Sequence, residues 1–239
     1  MNMKSLKMVL GALLLAGTTA HGTIYRYNST PTGAVIPDGN PGGIQDSINV
    51  SGAWPTITDV KVFLNVSGGY NGDLYAYLNL GGTSVILLNR IGTPTTTFGS
   101  ATAGFGNSTH TYENDTTWYN FKLDDAAGGS IHNATGTTGA PVTGSYQPDA
   151  AGGTSFGSFA SAGSPNGTWS IFFADMAGGN SPSTLAGWGL EITAVPEPVN
   201  VALGVFGGVF LAGMVVRNLR VRGWIQRCRA AFGQWVNAV

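Results

Sequence analysis

The chain has 239 residues, of which 37 are glycine and only 10% are charged, and its formal net charge is −1. Residues 21–198 nevertheless carry twelve acidic and four basic side chains, a net charge of −8. An acidic segment with scattered basic residues lacks the positive stripe that nucleic acids require, which argues against a nucleic-acid partner. Because the one cysteine, Cys228, lies near the C-terminus, residues 21–198 depend on a hydrophobic core rather than on disulfides.

The N-terminus has the pattern of an export signal. Lys4 and Lys7 precede an apolar run over 8–16, and the small residues of 18–20 follow it. This order predicts a signal peptide over residues 1–20 that is cleaved before His21. The apolar run is too short to cross a bilayer, so it does not predict a membrane-spanning helix.

The exported part reads as nearly all β. Residues 21–42 are rich in Gly, Pro, Asn and Thr, and they predict a loosely ordered lead-in with one short strand at 24–27. Runs rich in β-branched and aromatic residues, separated by glycine turns, then predict strands over 57–66, 74–80, 85–88, 118–123, 168–174 and 185–193. Mobile loops are expected over 93–114 and 133–154. One domain at 43–193, arranged as a β-sandwich, is the fold that this pattern favours.

The end of the chain has the pattern of a membrane anchor. A linker over 194–198 contains Pro196-Glu197-Pro198, and the uncharged apolar residues 199–216 follow it. Those 18 residues give about 27 Å of helix, enough to cross a hydrocarbon core once. The positive-inside rule then places residues 21–198 outside and the tail 217–239 in the cytoplasm, with Arg217, Arg220 and Arg222 as the anchor. Helical spacing of apolar residues predicts that this basic tail is amphipathic and lies along the inner membrane surface.

This tripeptide, apolar span and arginine cluster resemble the PEP-CTERM sorting signal of Gram-negative bacteria. The resemblance implies export, tethering by the helix, and cutting near Pro196-Glu197-Pro198 by an exosortase for delivery to the cell surface or to an exopolysaccharide matrix. The chain departs from that pattern by continuing to Val239. The alternative is an ordinary single-pass anchor, whose prolines only end the last strand and stiffen the linker.

A second resemblance covers about residues 43–193. The sequence blocks that carry it include Ile57-Thr58-Asp59-Val60, Tyr70-Asn71-Gly72-Asp73-Leu74, Asn166-Gly167-Thr168-Trp169 and Gly187-Trp188-Gly189, with further blocks over 82–88, 121–127, 144–148 and 156–159. Their order is similar to that in the P domain, or Homo B domain, of proprotein convertases, which implies a jelly-roll β-sandwich. P domains usually follow a subtilisin-like protease, and 42 residues are too few for one. An accessory domain that partners a separate protease is therefore one alternative function.

No catalytic residues are expected. His21, His110 and His132 lie in loop-like surroundings without a Gly-x-Ser-x-Gly elbow, so a hydrolytic triad is not predicted. Asp124 and Asp125 are adjacent, and on a strand they point to opposite faces, so they cannot flank one glycosidic bond. A turn or strand-end role is expected for both.

Two binding hypotheses stay open. Asp73 and Asp175 each lie at a glycine-flanked strand end and could contribute oxygen ligands to calcium, although such aspartates commonly close turns instead, and no cofactor is predicted. An aromatic set could form a carbohydrate-binding platform: Tyr70, Tyr75, Tyr77, Trp118 and Tyr119. Alternation places Tyr75 and Tyr77 on one side of a strand, where a cross-strand pair is the simpler interpretation. The expected function is that of a non-enzymatic, surface-directed β-sandwich, with a carbohydrate-binding module as an alternative.

Overall fold

The computed structural model of the protein describes residues 21–29, 33–91, 120–134, 141–149, 155–179 and 181–236; for 198–201, 219 and 225–236 it describes the backbone alone. These residues divide into a compact unit, His21–Val195, and a C-terminal segment that begins at Pro196. The predicted signal peptide, and the whole of the loop expected over 93–114, lie outside the described residues.

The compact unit is mostly β, as predicted. Within the described residues its strands are β1 (Thr23–Ser29), β2 (Ala34–Ile36), β3 (Ile44–Val50), β4 (Thr56–Ser67), β5 (Leu74–Leu80), β6 (Thr83–Asn89), β7 (Phe121–Asp124), β8 (Gly144–Tyr146), β9 (Gly167–Asp175) and β10 (Ser183–Val195). Short 3₁₀ turns occupy Asn71–Asp73, Ile131–Asn133 and Phe156–Ala162. β4, β5, β6, β9 and β10 contain the strands that the sequence predicts at those places.

The strands form two sheets. The first sheet has the order β1-β10-β4-β7-β8, with β2 also paired to one end of β10, and the second has the order β3-β9-β5-β6. Neighbouring strands are antiparallel except for β7 and β8, which run parallel. β10 and β4 pair over most of their lengths and form the centre of the first sheet.

One hydrophobic core lies between the two sheets, the arrangement of a β-sandwich. Alternation produces it: in β5 the residues at 74, 76, 78 and 80 are buried, while those between them are half-exposed. Trp188 from the first sheet and Trp169 from the second are both fully buried, and they belong to the same cluster. Burying aromatic side chains of this size supplies a large share of the apolar area removed from water.

The strand predicted at 24–27 is present as part of β1, but the structure differs from the loosely ordered lead-in predicted over 21–42. β1 pairs with β10 from Thr23, opposite Ala194, to Ser29, opposite Trp188. Tyr25 and Tyr27 of β1 also pack against the core. The long partner strand satisfies the backbone groups of this polar segment, which overrides its local composition. The domain therefore begins at His21 rather than at residue 43.

The predicted loop over 133–154 also contains a strand. β8 lies within it and pairs with β7 in register, Phe121 opposite Gly144 and Leu123 opposite Tyr146. A three-residue strand gives too short a pattern for its periodicity to be recognised in the sequence. β7 itself corresponds to the strand predicted over 118–123, of which residues 118–119 lie outside the described part.

A single helix, α1 (Pro198–Val236), forms the described C-terminal segment. Proline is tolerated in the first turn because the N–H groups there have no intrahelical partner. The predicted apolar span 199–216 lies inside this helix. The helix continues without interruption through the arginines, so the predicted tail is continuous with the span as far as Val236.

Candidate functional site

The linker between the domain and the helix holds the predicted sorting tripeptide. β10 ends at Val195, the helix begins at Pro198, and Pro196 and Glu197 lie between them. Glu197 is exposed and Pro196 is half-exposed. Pro196 has no N–H with which to continue a strand, so the sheet ends here. The result is a short non-repetitive segment at the boundary of the compact unit, the kind of segment that a processing enzyme can reach.

The helix that follows is apolar on all sides. Its exposed large apolar side chains include Leu203 at 64%, Phe206 at 72% and Phe210 at 66%, and residues 199–216 contain no charged side chain. By length and composition alone, the segment Ala202–Trp224 of helix α1 could cross a membrane. Helices that are hydrophobic all round are typical of protein cores or of bilayers. Arg217, Arg220 and Arg222 are all exposed near its C-terminal end.

The two aspartates considered for calcium close a loop together. Asp175 ends β9 opposite Leu74, and Asp73 ends the 3₁₀ turn just before Leu74. The Asp175 carboxylate accepts the Ala177 N–H at 3.1 Å, and the Asp73 carbonyl oxygen accepts the Met176 N–H at 2.8 Å. These are turn-closing bonds. In the part of the chain that the structure describes, no group of three His, Cys, Asp or Glu side chains could hold a metal ion.

The aromatic candidates separate into two groups. Tyr75 and Tyr77 lie on the outer face of the second sheet, with ring centroids 6.2 Å apart in an edge-on arrangement. Tyr77 also stacks on Phe172 of β9, with centroids 5.0 Å apart. Tyr70 lies elsewhere, on the loop before the first 3₁₀ turn, and Trp118 and Tyr119 lie outside the described residues. Sequence reasoning missed Phe172, although the alternation of β9 places it outward.

A row of alternating charges crosses the outer face of the first sheet. Arg26, Glu191, Lys61 and Asp124 are in register on the neighbouring strands β1, β10, β4 and β7. The Glu191 carboxylate contacts Arg26 Nη2 at 2.7 Å and Lys61 Nζ at 2.9 Å. Asp124 accepts a hydrogen bond from Lys122 at 2.9 Å. Opposite charges on adjacent strands stabilise a sheet. The two cations Arg26 and Lys61 are separated by Glu191 on the strand between them.

The cations determine how the acids of this row ionise. Burial alone would raise the pKa of Glu191, but hydrogen bonds from Lys61 and Arg26 and their charges outweigh it, so the pKa is lowered. The pKa of Asp124 is lowered in the same way, by Lys122, the Ala126 N–H and Lys61 acting against burial. Burial alone would lower the pKa of Lys61. The hydrogen bond and the charge of Glu191, followed by the charges of Asp59 and Asp124, outweigh burial, so the pKa is raised.

A half-buried carboxylate joins the two sheets. Asp46 of β3 accepts the indole N–H of Trp188 at 2.7 Å, and the Ser29 hydroxyl donates to the same oxygen. Trp188 and Ser29 belong to the first sheet, whereas Asp46 belongs to the second. Hydrogen bonds to an ionised acceptor are stronger than neutral ones, so this contact helps to fix the first sheet on the second.

The strand-end role predicted for the adjacent acids is confirmed. Asp124 ends β7 and accepts the Ala126 N–H at 2.9 Å. The Asp125 carboxylate accepts the N–H groups of Phe156 and Gly157, at 3.2 and 3.0 Å, and so caps the 3₁₀ turn Phe156–Ala162.

One histidine has a carboxylate partner. His132 Nδ1 lies 2.8 Å from Asp149, which also accepts the Asn89 N–H at 3.1 Å. The Ser130 hydroxyl accepts the backbone N–H of His132 at 3.2 Å. The pair connects the end of β6 to the turn Ile131–Asn133. His110 lies outside the described residues.

Comparison with known proteins gives few relatives. No family model matches the chain, and no curated protein matches it. Among solved structures, a serine protease of Aeromonas sobria has a TM-score of 0.39, and a complex of the Aeromonas sobria serine protease with a chaperone has a TM-score of 0.41, each at 15% identity. Each match covers 76% of this chain and 29% of the other. Structural similarity at these TM-scores is too low to indicate a shared fold or function.

Proposed function

We propose that this chain is an exported, non-enzymatic β-sandwich protein that is directed to the cell surface or extracellular matrix through its C-terminal tail. In this proposal the signal peptide is removed before His21 and helix α1 holds the protein in the inner membrane. A processing enzyme of the exosortase type then cuts near Pro196-Glu197-Pro198. The two-sheet domain has the jelly-roll connectivity that its resemblance to P domains implies.

One observation carries the proposal: a folded unit, an accessible proline-flanked glutamate, an apolar helix and exposed arginines follow one another in that order. The compact unit stops at Val195, so cutting after it would leave every strand intact. The uncharged residues 199–216 give about 27 Å of helix, which is just enough to cross a hydrocarbon core once with little tilt. Exposed Arg217, Arg220 and Arg222 at its end would extend to anionic head groups.

The mass of the mature protein tests the processing step. Mass spectrometry of protein recovered from the native host should show an N-terminus at His21 and a C-terminus near Pro196-Glu197-Pro198. The Glu197→Gln variant should escape this cut, so its mature form should still end at Val239. Pro182→Ala, in the loop between β9 and β10, is the matched control and should be processed normally. Recovery of wild-type protein that ends at Val239 would contradict sorting and leave a plain membrane anchor.

The single cysteine tests the topology. In spheroplasts, a maleimide that cannot cross membranes should fail to label the native Cys228. It should label a Cys228→Ser variant that carries Ser84→Cys, because Ser84 is exposed on the outer face of the second sheet. Labelling of Cys228 and protection of the cysteine at 84 would reverse the orientation and overturn the proposal.

A further inference from the structure

The outer face of the second sheet is divided into an aromatic row and a polar row. Each row has one residue from each of the four strands, in register in the order β3, β9, β5, β6. The aromatic row comprises Gln45, Phe172, Tyr77 and Ile86. The polar row comprises Ser47, Ser170, Asn79 and Ser84. These two rows are called the neutral face below.

No charge reaches this face from its own strands. The four strands contain two charged residues, Asp46 and Asp175, and both point towards the core side of the sheet. Asp46 contacts Trp188 of the other sheet, and Asp175 is 1% exposed. The first sheet, in contrast, carries the charged row on its outer surface. The domain His21–Val195 has eleven acidic and four basic residues, a net charge of −7, and yet the strands of this sheet place no charge on its outer face.

The side chains of the neutral face are held in place by one another. Tyr77 and Phe172 stack at 5.0 Å, and the Asn79 amide donates to the Ser84 hydroxyl at 2.8 Å. β5 and β9, which carry Tyr77 and Phe172, are the two inner strands of the sheet. Because little side-chain freedom remains to be lost, a ligand that meets this face is bound by a preorganised surface.

We propose that the neutral face binds an uncharged polysaccharide chain that lies across the strands. A pyranose ring has an apolar C–H side and a hydroxyl rim, which match the two rows. The C–H side would pack on Tyr77, Phe172 and Tyr75, and the hydroxyls would bond to Asn79 and the serines beside it. Four strands spaced about 4.8 Å apart give the rows a length of about 14 Å, which suits a short run of sugar rings.

Charge decides among the possible occupants. An anionic polymer would approach a domain of net charge −7, and a second copy of the domain would bring another −7, so both are opposed by repulsion. A cationic polymer would find no carboxylate in either row. An uncharged chain is not repelled by the acidic domain and needs no carboxylate partner. The inference rests on the proposed function only in requiring that the domain reach the outside of the cell.

Affinity electrophoresis of the full chain tests this binding. The protein is solubilised in a detergent without a sugar head group, then run in native gels that contain hydroxyethyl cellulose, galactomannan, dextran or the anionic polymer alginate. At least one of the three neutral polymers should retard the wild-type protein, and alginate should not. Tyr77→Ala should weaken retardation about tenfold, because one stacking contact of roughly this size is removed.

Two further variants separate binding from folding. Asn79→Ala should also weaken retardation, and it removes a half-exposed side chain with little effect on the core. Trp54→Ala is the matched aromatic control, since Trp54 is 45% exposed and bonds to Thr23 of the first sheet, and it should bind as wild type. Melting temperatures identify any variant that has lost its fold.

Three results would overturn the inference. The first is that none of the three neutral polymers retards the wild-type protein. The second is that the Tyr77→Ala and Asn79→Ala variants are both retarded as strongly as the wild type. The third is that the wild-type protein is a dimer and the Tyr77→Ala variant is a monomer. These outcomes are independent of the mature C-terminus. A protein that is cut near Pro196-Glu197-Pro198 but binds no neutral polymer would refute the ligand and leave the sorting proposal standing.

Discussion

Replacing Glu191 by glutamine tests how much the charged row contributes to stability. Glu191 is 7% exposed and contacts Arg26 and Lys61, whose side chains are 40% and 22% exposed. Breaking a fully buried ion pair costs about 3 to 5 kcal/mol, whereas an exposed pair contributes less than about 1 kcal/mol. Because both cations keep access to water, we expect Glu191→Gln to lower the free energy of unfolding by about 2 kcal/mol at pH 7.

The assay is thermal unfolding of the full chain in detergent, followed by tryptophan fluorescence. A loss of this size lowers the melting temperature by about 4 to 8 °C for a domain of this length. The pKa of Glu191 lies below its ordinary value of 4.5, so its stabilisation is present above pH 4.5 and is lost as the pH falls through the lowered pKa. The wild-type and variant melting temperatures should therefore converge in acid. Equal stability at pH 7, or a gap that persists in acid, would refute the reasoning.

Other contacts lead to predictions of the same kind, measured by denaturant unfolding. Trp169→Phe removes the 2.8 Å hydrogen bond to the Pro165 carbonyl inside the core and should cost about 2 to 3 kcal/mol; a cost near zero would mean that water replaces it. Gly43→Ala should cost more than about 3 kcal/mol, because φ is 52° and the new Cβ would lie 2.1 Å from a backbone oxygen. Gly81→Ala, with φ at 57° and open space around it, should cost only about 1 kcal/mol, and equal costs for the two glycines would contradict the steric argument. Asp125→Ala removes the cap of the turn Phe156–Ala162 and should cost about 1 kcal/mol, with no change expected if water caps the turn equally well.

The strongly patterned strands could be predicted from the sequence alone. In β4 the alternate residues Val60, Val62, Leu64 and Val66 are fully buried, and β5 has the same alternation, so local periodicity is enough. β1 could not be found this way in full. Its strand state depends on β10, about 165 residues later in the chain, as the contact between Arg26 and Glu191 illustrates.

In the candidate sites, too, the sequence predicts contacts that depend on local periodicity but not those that depend on strand pairing. The sequence places Tyr75 and Tyr77 on one face, and the structure agrees because that inference needs only the two-residue period of a strand. The partner Phe172 depends on the register of β9 against β5, which no local pattern supplies. The contact of Trp188 with Asp46 spans 142 residues and two sheets. Long-range pairing of this kind becomes visible only once the topology is known.

The position of β10 determines when this domain can fold. β10 is the last strand of the compact unit, and it is also the partner of β1, β2 and β4. While the chain is being synthesised, the first sheet therefore lacks its centre until residues 183–195 have emerged, and β1 waits for a partner throughout. A chain of this design stays open until its final strand has emerged, so removing residues 183–195 would deprive β1 and β4 of the partner that they share.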